Sequence, residues 1–187
     1  MNSVYLTRCV LFFNAQFSKI KSHYYKILLG SLFLSICLFL FPQLYGEGYH
    51  AIKTIFANSH QSAISFSLAL TFIAIVLLKP IVTSLTLASG GDGGVFAPSL
   101  FIGAFLGLLV ASISNSFLNA NIIPINFMVI GMAAVLSASI NAPLTSIFLV
   151  CGLTNNYTLF IPILAVCFIS KHTAQLIYPF TVYTYSS

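Results

Sequence analysis

The residues of this chain whose types and spacing could do chemistry are gathered in one stretch, Ser89-Gly90-Gly91-Asp92-Gly93-Gly94-Val95-Phe96-Ala97-Pro98. Glycines flank a single acid, and Asp92 is the only charged residue between Lys79 and Lys171. A helix beginning near Val95 would leave its first backbone N–H groups without intrahelical partners. The helix dipole would add partial positive charge at the same end. Both effects favour an anion. Gly93 and Gly94 carry no side chain to keep an anion off the backbone. Pro98 falls in the first turn, where a missing N–H costs least. Neutral donors also hold an anion less tightly than Lys or Arg, which suits passage.

Asp92 cuts against an anion beside it. It is expected to cap the helix, its carboxylate accepting from first-turn N–H groups; direct ion handling is the competing reading. The plainest alternative for the whole stretch is a glycine-rich loop joining two helices. Nucleotide chemistry does not fit. No Lys stands where G-x-x-x-x-G-K-[ST] needs one, and Phe96 occupies the place of the third glycine of G-x-G-x-x-G.

Other chemistries find little support. His23, His50, His60 and His172 form no i,i+4 pair, so no metal site is expected. Cys9, Cys37, Cys151 and Cys167 make no C-x-x-C and read as buried thiols. No nucleophile–base pair is visible, so neither catalytic residues nor an organic cofactor is expected. Glu47, between Gly46 and Gly48, reads as a solvated acid at the membrane surface; a proton-carrying carboxylate is the sharper alternative.

The elements that must position the glycine stretch are membrane-grade. Of 187 residues, 59% are hydrophobic and 5% charged, with mean hydropathy +1.02. Soluble domains carry about 25% charged residues, so too little polar side chain exists here to cover a soluble surface. The net charge of +5 is no sign of nucleic acid. Arg8, Lys19, Lys21 and Lys26 precede the first apolar span and read as a positive-inside anchor, with the N-terminus in the cytoplasm. The expected locus is a cell inner membrane, with the lipid bilayer as partner.

Residues 1–26 are expected to form a basic cytoplasmic or interfacial segment, either a surface helix or the tail of a membrane helix. Residues 27–187 are expected to form transmembrane helices. Ile27 to Phe41 is the first span, and Ala51 to Asn58 a short helix. Ile64 to Leu78 is the second span, and its pattern continues past Lys79-Pro80 to Ala88. Val95 to Ile113 follows the glycines, with Gly103 and Gly107 at a spacing that allows close helix approach. Phe127 to Ser139 and Leu144 to Leu153 are each too short to cross a bilayer, and Asn141-Ala142-Pro143 separates them. Thr158 to Ser170 extends apolar to Tyr178. The fold class is an all-α membrane protein, a bundle of tilted, partly discontinuous helices. Paired short segments broken by Gly or Pro point to a binding site near the midplane.

Four landmarks then carry a resemblance. Gly93 to Pro98 resembles the G-G-x-F-x-P signature of the CLC family of voltage-gated-type chloride channels and proton/chloride antiporters. Gly131 to Thr145 resembles its G-M-A-A-x-x-A-A-x-x-x-A-P-L-T segment. Thr154-Asn155-Asn156-Tyr157 is similar to its T-x-N-Y turn, and Thr181-Val182-Tyr183-Thr184 to the stretch holding its anion-coordinating tyrosine. The resemblance runs from about residue 20 to the end and implies chloride transport. It assigns anion binding to Gly94, Val95 and Phe96, the N–H groups of the last two coordinating chloride, and to the Tyr183 hydroxyl. Tyr185 is the competing candidate, and an ordinary interfacial tyrosine the plainer one.

The family's earlier signatures, G-S-G-I-P and G-[RK]-E-G-P, do not occur here. The chain therefore reads as the C-terminal half of the membrane domain, carrying part of an anion site without its gate. A homodimer through the region from Pro143 to Ile169, or assembly with a separately encoded first half as a non-conducting partner, is what the resemblance leaves open. So is the choice between channel and antiporter.

Overall fold

Seven α-helices follow one another along the residues described by this computed structural model: 2–20, 22–41, 66–118, 122–155 and 157–181. They are α1 (Asn2–Ser18), α2 (His23–Leu40), α3 (Phe66–Ala88), α4 (Phe96–Leu118), α5 (Pro124–Ile140), α6 (Pro143–Thr154) and α7 (Phe160–Ile177). No strand occurs among the described residues, and the all-α expectation holds. The expected helix at Ala51 to Asn58 lies outside the described residues.

Local chemistry explains the boundaries. α5 and α6 each open with Pro in the first turn, where its fixed φ fits and its missing N–H costs nothing. Each closes on an asparagine in the left-handed region, Asn141 at φ 58° and Asn155 at φ 48°, a conformation that asparagine tolerates better than most residues. One helix therefore stops and the next starts within Asn141-Ala142-Pro143. Pro80 does not end α3, which runs through it. The Ser84 hydroxyl donates to the Pro80 carbonyl at 2.6 Å, a local bond of the kind that accommodates proline inside apolar helices.

α4 is the centre. In its apolar stretch 67% of residues are buried, against 6% in α2 and 17% in α7. Phe101, Ile102, Ala104, Phe105 and Leu108 lie in the core, where the Phe101 and Phe105 rings stand 4.6 Å apart and Phe72 of α3 meets Phe105 at 5.1 Å. α4 packs most extensively on α5. Gly103 and Gly107 let its backbone lie against Gly131 and Phe127 of that helix.

α5 and α7 are joined by polar bonds. The Ser137 hydroxyl donates to the Cys167 carbonyl at 2.9 Å, and the Ser170 hydroxyl to the Ala134 carbonyl at 2.8 Å. Such bonds hold helices together where lipid removes the hydrophobic drive between them. Asn115 clasps the turn into α5, donating to the Ile122 carbonyl at 2.8 Å and accepting from its N–H at 2.7 Å.

α2, α4 and α7 are long and apolar enough to cross a membrane; the apolar helices Phe72–Ala88, Pro124–Ile140 and Pro143–Thr154 are shorter. α1 packs on α3 and α5. It buries Ser3, Val4, Leu6, Thr7 and Val10 and leaves Arg8 exposed.

Candidate anion site

The glycine break is built by how α3 ends. Gly90 has φ +93°, a conformation that side-chain-bearing residues rarely adopt. Its N–H donates to the Leu87 carbonyl at 3.2 Å, and the Gly91 N–H to the Thr86 carbonyl at 3.0 Å. This paired pattern, with glycine in the left-handed place, is the Schellman close of a helix. It satisfies two terminal carbonyls of α3 and turns the chain toward α4. A side chain at Gly91 would meet the Thr86 methyl at 2.9 Å.

α2 braces this turn. Gly30, its one buried residue, lies against Ser89 so closely that a Cβ there would collide with the serine side chain. His23, the first residue of α2, brings its ring to 3.3 Å from where a Gly90 Cβ would stand.

Gly91, Asp92, Gly93 and Gly94 are exposed. α4 then opens at Val95, whose carbonyl accepts the Ser99 N–H at 3.0 Å. Val95 therefore holds the cap position, and Asp92 stands three residues before it. The Val95 side chain is buried, 2% exposed, against Leu6 and Val10 of α1, with Leu87 and Ile140 beside it. Phe96 is 37% exposed. The approach to the first turn of a 23-residue helix thus runs over open glycine backbone, and the turn itself is anchored through Val95.

Two buried polar residues, one on α4 and one on α3, were not picked out from the sequence. Ser99 is fully buried, and its hydroxyl has no hydrogen-bond partner among the described residues. Helical Cβ atoms tilt toward the N-terminus, so its side chain leans toward the Val95–Phe96 turn. Lys79, in the middle of α3, is 5% exposed and holds its Nζ 4.9 Å from the Phe101 ring centre. Its place beside Pro80 reads as the end of a span, but the helix continues for nine residues, Pro80 to Ala88. An ionisable group buried in a membrane protein is a candidate for functional ground.

Tyr183, Tyr185 and Glu47 lie outside the described residues. The segment that leads to Tyr183 is described as far as Thr181. Thr181 is 7% exposed and lines a small cavity with Ser3 and Thr7 of α1 and with Asn141 and Gln175. The Gln175 amide donates to the Asn141 side chain at 2.9 Å. The same α1 that touches Val95 through Leu6 and Val10 therefore shares a cavity with the tail through Ser3 and Thr7. No cluster of metal-ligating side chains occurs among the described residues.

The sequence model of the voltage gated chloride channel family matches residues 1–175. The chain belongs to this family. Together with its apolar helices, that makes it an integral membrane protein. The match begins ahead of the four landmarks and takes in α1, which the motifs alone leave out. A putative chloride channel protein ClcB-like from Ralstonia nicotianae is 31% identical over 151 residues, covering 80% of this chain and 34% of that protein. An H(+)/Cl(-) exchange transporter ClcA from Vibrio parahaemolyticus is 34% identical over 151 residues, covering 80% and 31%. The ClcA of Vibrio vulnificus strain YJ016 is 33% identical over 137 residues, covering 73% and 28%. The chain thus spans about a third of the length of the curated relatives it matches. These relatives are named as channels and exchange transporters, a class whose work is passage of ions.

Proposed function

We propose that the chain supplies one wall of a chloride pathway in a CLC-type transport protein. One observation carries this reading: α4 begins at a buried, anchored Val95 after five exposed residues, four of them glycine. Chloride approaches over Gly94 and accepts from the Val95 and Phe96 N–H groups, where the helix dipole favours it. The cap position belongs to Val95 rather than to Asp92, which stands three residues before it on the exposed approach. The Tyr183 hydroxyl donates to the same ion from the other side. Supporting this, Thr181, two positions before Tyr183 and a reach of roughly 7 Å from it, lines a cavity with α1 residues, and α1 also packs on Val95.

The membrane is a cell inner membrane with the N-terminus in the cytoplasm. The apolar residues that α2 leaves exposed, among them Leu28, Leu32 and Phe39, meet lipid or the remainder of the transporter. Two copies meet through α6 and α7, whose exposed Leu144, Phe148, Ile161 and Phe168 continue across the region from Pro143 to Ile169. The aligned region spans about a third of the matched relatives, which favours a second reading of the chain's role: assembly with a segment carrying the rest of the pathway.

Chloride efflux from liposomes tests the function. The chain alone is expected to give none, and the chain co-reconstituted with a family segment bearing G-S-G-I-P and G-[RK]-E-G-P is expected to give chloride-selective flux. Selective flux from the chain alone would remove the need for a second segment. No flux from the combined preparation would count against chloride transport.

A further inference from the structure

α1 touches both described ends of the proposed site. One face sets Leu6 and Val10 against Val95. Ser3 and Thr7, in the same turns of the helix, line a small cavity together with Thr181. Arg8, exposed on the flank of this buried face, holds its guanidinium 5.4 Å from the centre of the Tyr178 ring. Tyr178 is the first residue after α7, and its N–H closes that helix on the Ala174 carbonyl at 2.8 Å. The Tyr178 ring meets Phe180 edge-on at 5.7 Å. The tail from Tyr178 to Thr181 is thus fastened at its start to Arg8 and at its end to the cavity wall.

We propose that Arg8 is a positioning residue for the anion site: its guanidinium, stacked on Tyr178, sets the register of the tail that carries Tyr183 against the helix that carries Val95. This rests on the anion site proposed above. The planar guanidinium is the group suited to the task, because it lies flat on an aromatic face within about 6 Å of the ring centre, whereas an ammonium is a compact, strongly hydrated point charge. Arg8 also belongs to the N-terminal cation set that a positive-inside reading assigns to the membrane surface alone. Its place over Tyr178 gives it a second task that Lys19 and Lys26 do not share.

Bromide titration of the full chain in lipid nanodiscs, by calorimetry, tests the coupling. Arg8→Gln and Tyr178→Leu are each expected to weaken binding roughly two- to fivefold, the range of one cation–π contact. The double variant is expected to be no weaker than either single one, since both remove one interaction. Tyr178→Phe, which keeps the ring, is expected to bind as the parent does. Arg8→Lys separates stacking from charge: weakened binding supports positioning, and binding equal to the parent's overturns it.

Hydrogen exchange of the amides at 178–181, followed by mass spectrometry, gives a readout that needs no anion. Exchange there is expected to quicken in Arg8→Gln and Tyr178→Leu and to stay unchanged in Tyr178→Phe. If the parent chain binds no bromide, the anion site itself is at fault, and the exchange arm decides the positioning: equal exchange in parent and Arg8→Gln overturns it.

Discussion

Gly103 of α4 lies directly against the backbone carbonyl of Gly131 of α5, and a Cβ on either glycine would collide with the other helix. Gly107 meets the Phe127 carbonyl one turn along in the same way. Backbone contact of this kind fixes the separation and rotation of two helices more tightly than side-chain packing does. It therefore also fixes where the N-terminus of α4 points, and with it the Val95–Phe96 turn.

Gly103→Ala and Gly131→Ala are each expected to destabilise the bundle by about 1–3 kcal/mol, the usual cost of overpacking a tight contact. Gly152→Ala is the control: Gly152 is exposed, helical and has nothing within 4 Å of its missing Cβ. It should be neutral, or stabilising by up to about 1 kcal/mol from helix propensity. Unfolding midpoints in detergent compare the three. Equal midpoints for Gly103→Ala and Gly152→Ala would contradict the close approach.

Gly90→Ala places a Cβ at φ +93° and is expected to cost on the order of 1–2 kcal/mol through backbone strain. Gly93→Ala, with only the Leu87 side chain at 3.6 Å, should cost less than half as much. The same unfolding assay distinguishes them, and a larger loss at Gly93 would place the strain elsewhere in the break.

Ser99→Ala removes a buried hydroxyl that has no partner among the described residues. Stability is expected to hold or to rise by up to about 1 kcal/mol, because an unsatisfied buried group carries a desolvation penalty. A clear loss of stability would show that the hydroxyl bonds a group outside the described residues.

Ser137→Ala and Ser170→Ala each break one hydrogen bond between α5 and α7. Bonds between membrane helices average about 0.6 kcal/mol, so each variant should lose about that much, and the pair should be close to additive if the two bonds act independently. A loss above 3 kcal/mol from either would mean the serine does more than tie two helices.

The sequence made the punctuation of this fold readable, and the reason is local. Glycine and proline act on the backbone where they stand, so the break at Gly90–Gly94, the start of α4 next to Val95, the passage of α3 through Pro80 and the stop at Asn141-Ala142-Pro143 could all be anticipated. The spacing of Gly103 and Gly107 announced a close helix contact, but nothing local named Gly131 as its partner. The buried face of α1 was hidden for another reason. In a chain this apolar, lipid-facing and protein-facing residues look alike, and periodicity separates them poorly. The burial of Lys79 was not legible, because the Phe101 ring its Nζ lies over is 22 positions away in the sequence. Tyr183 could be named only through a motif, and it lies outside the described residues.

The central claim is that the first turn of α4 holds an anion by backbone N–H groups, and Phe96→Pro tests it most directly. Proline suits the first position of a helix, so the variant keeps the helix while deleting one donor. Bromide affinity, measured by calorimetry on the chain in nanodiscs with helicity checked by circular dichroism, is expected to fall about tenfold or more, the worth of a hydrogen bond to a charged group. Undiminished affinity with helicity intact would contradict the claim.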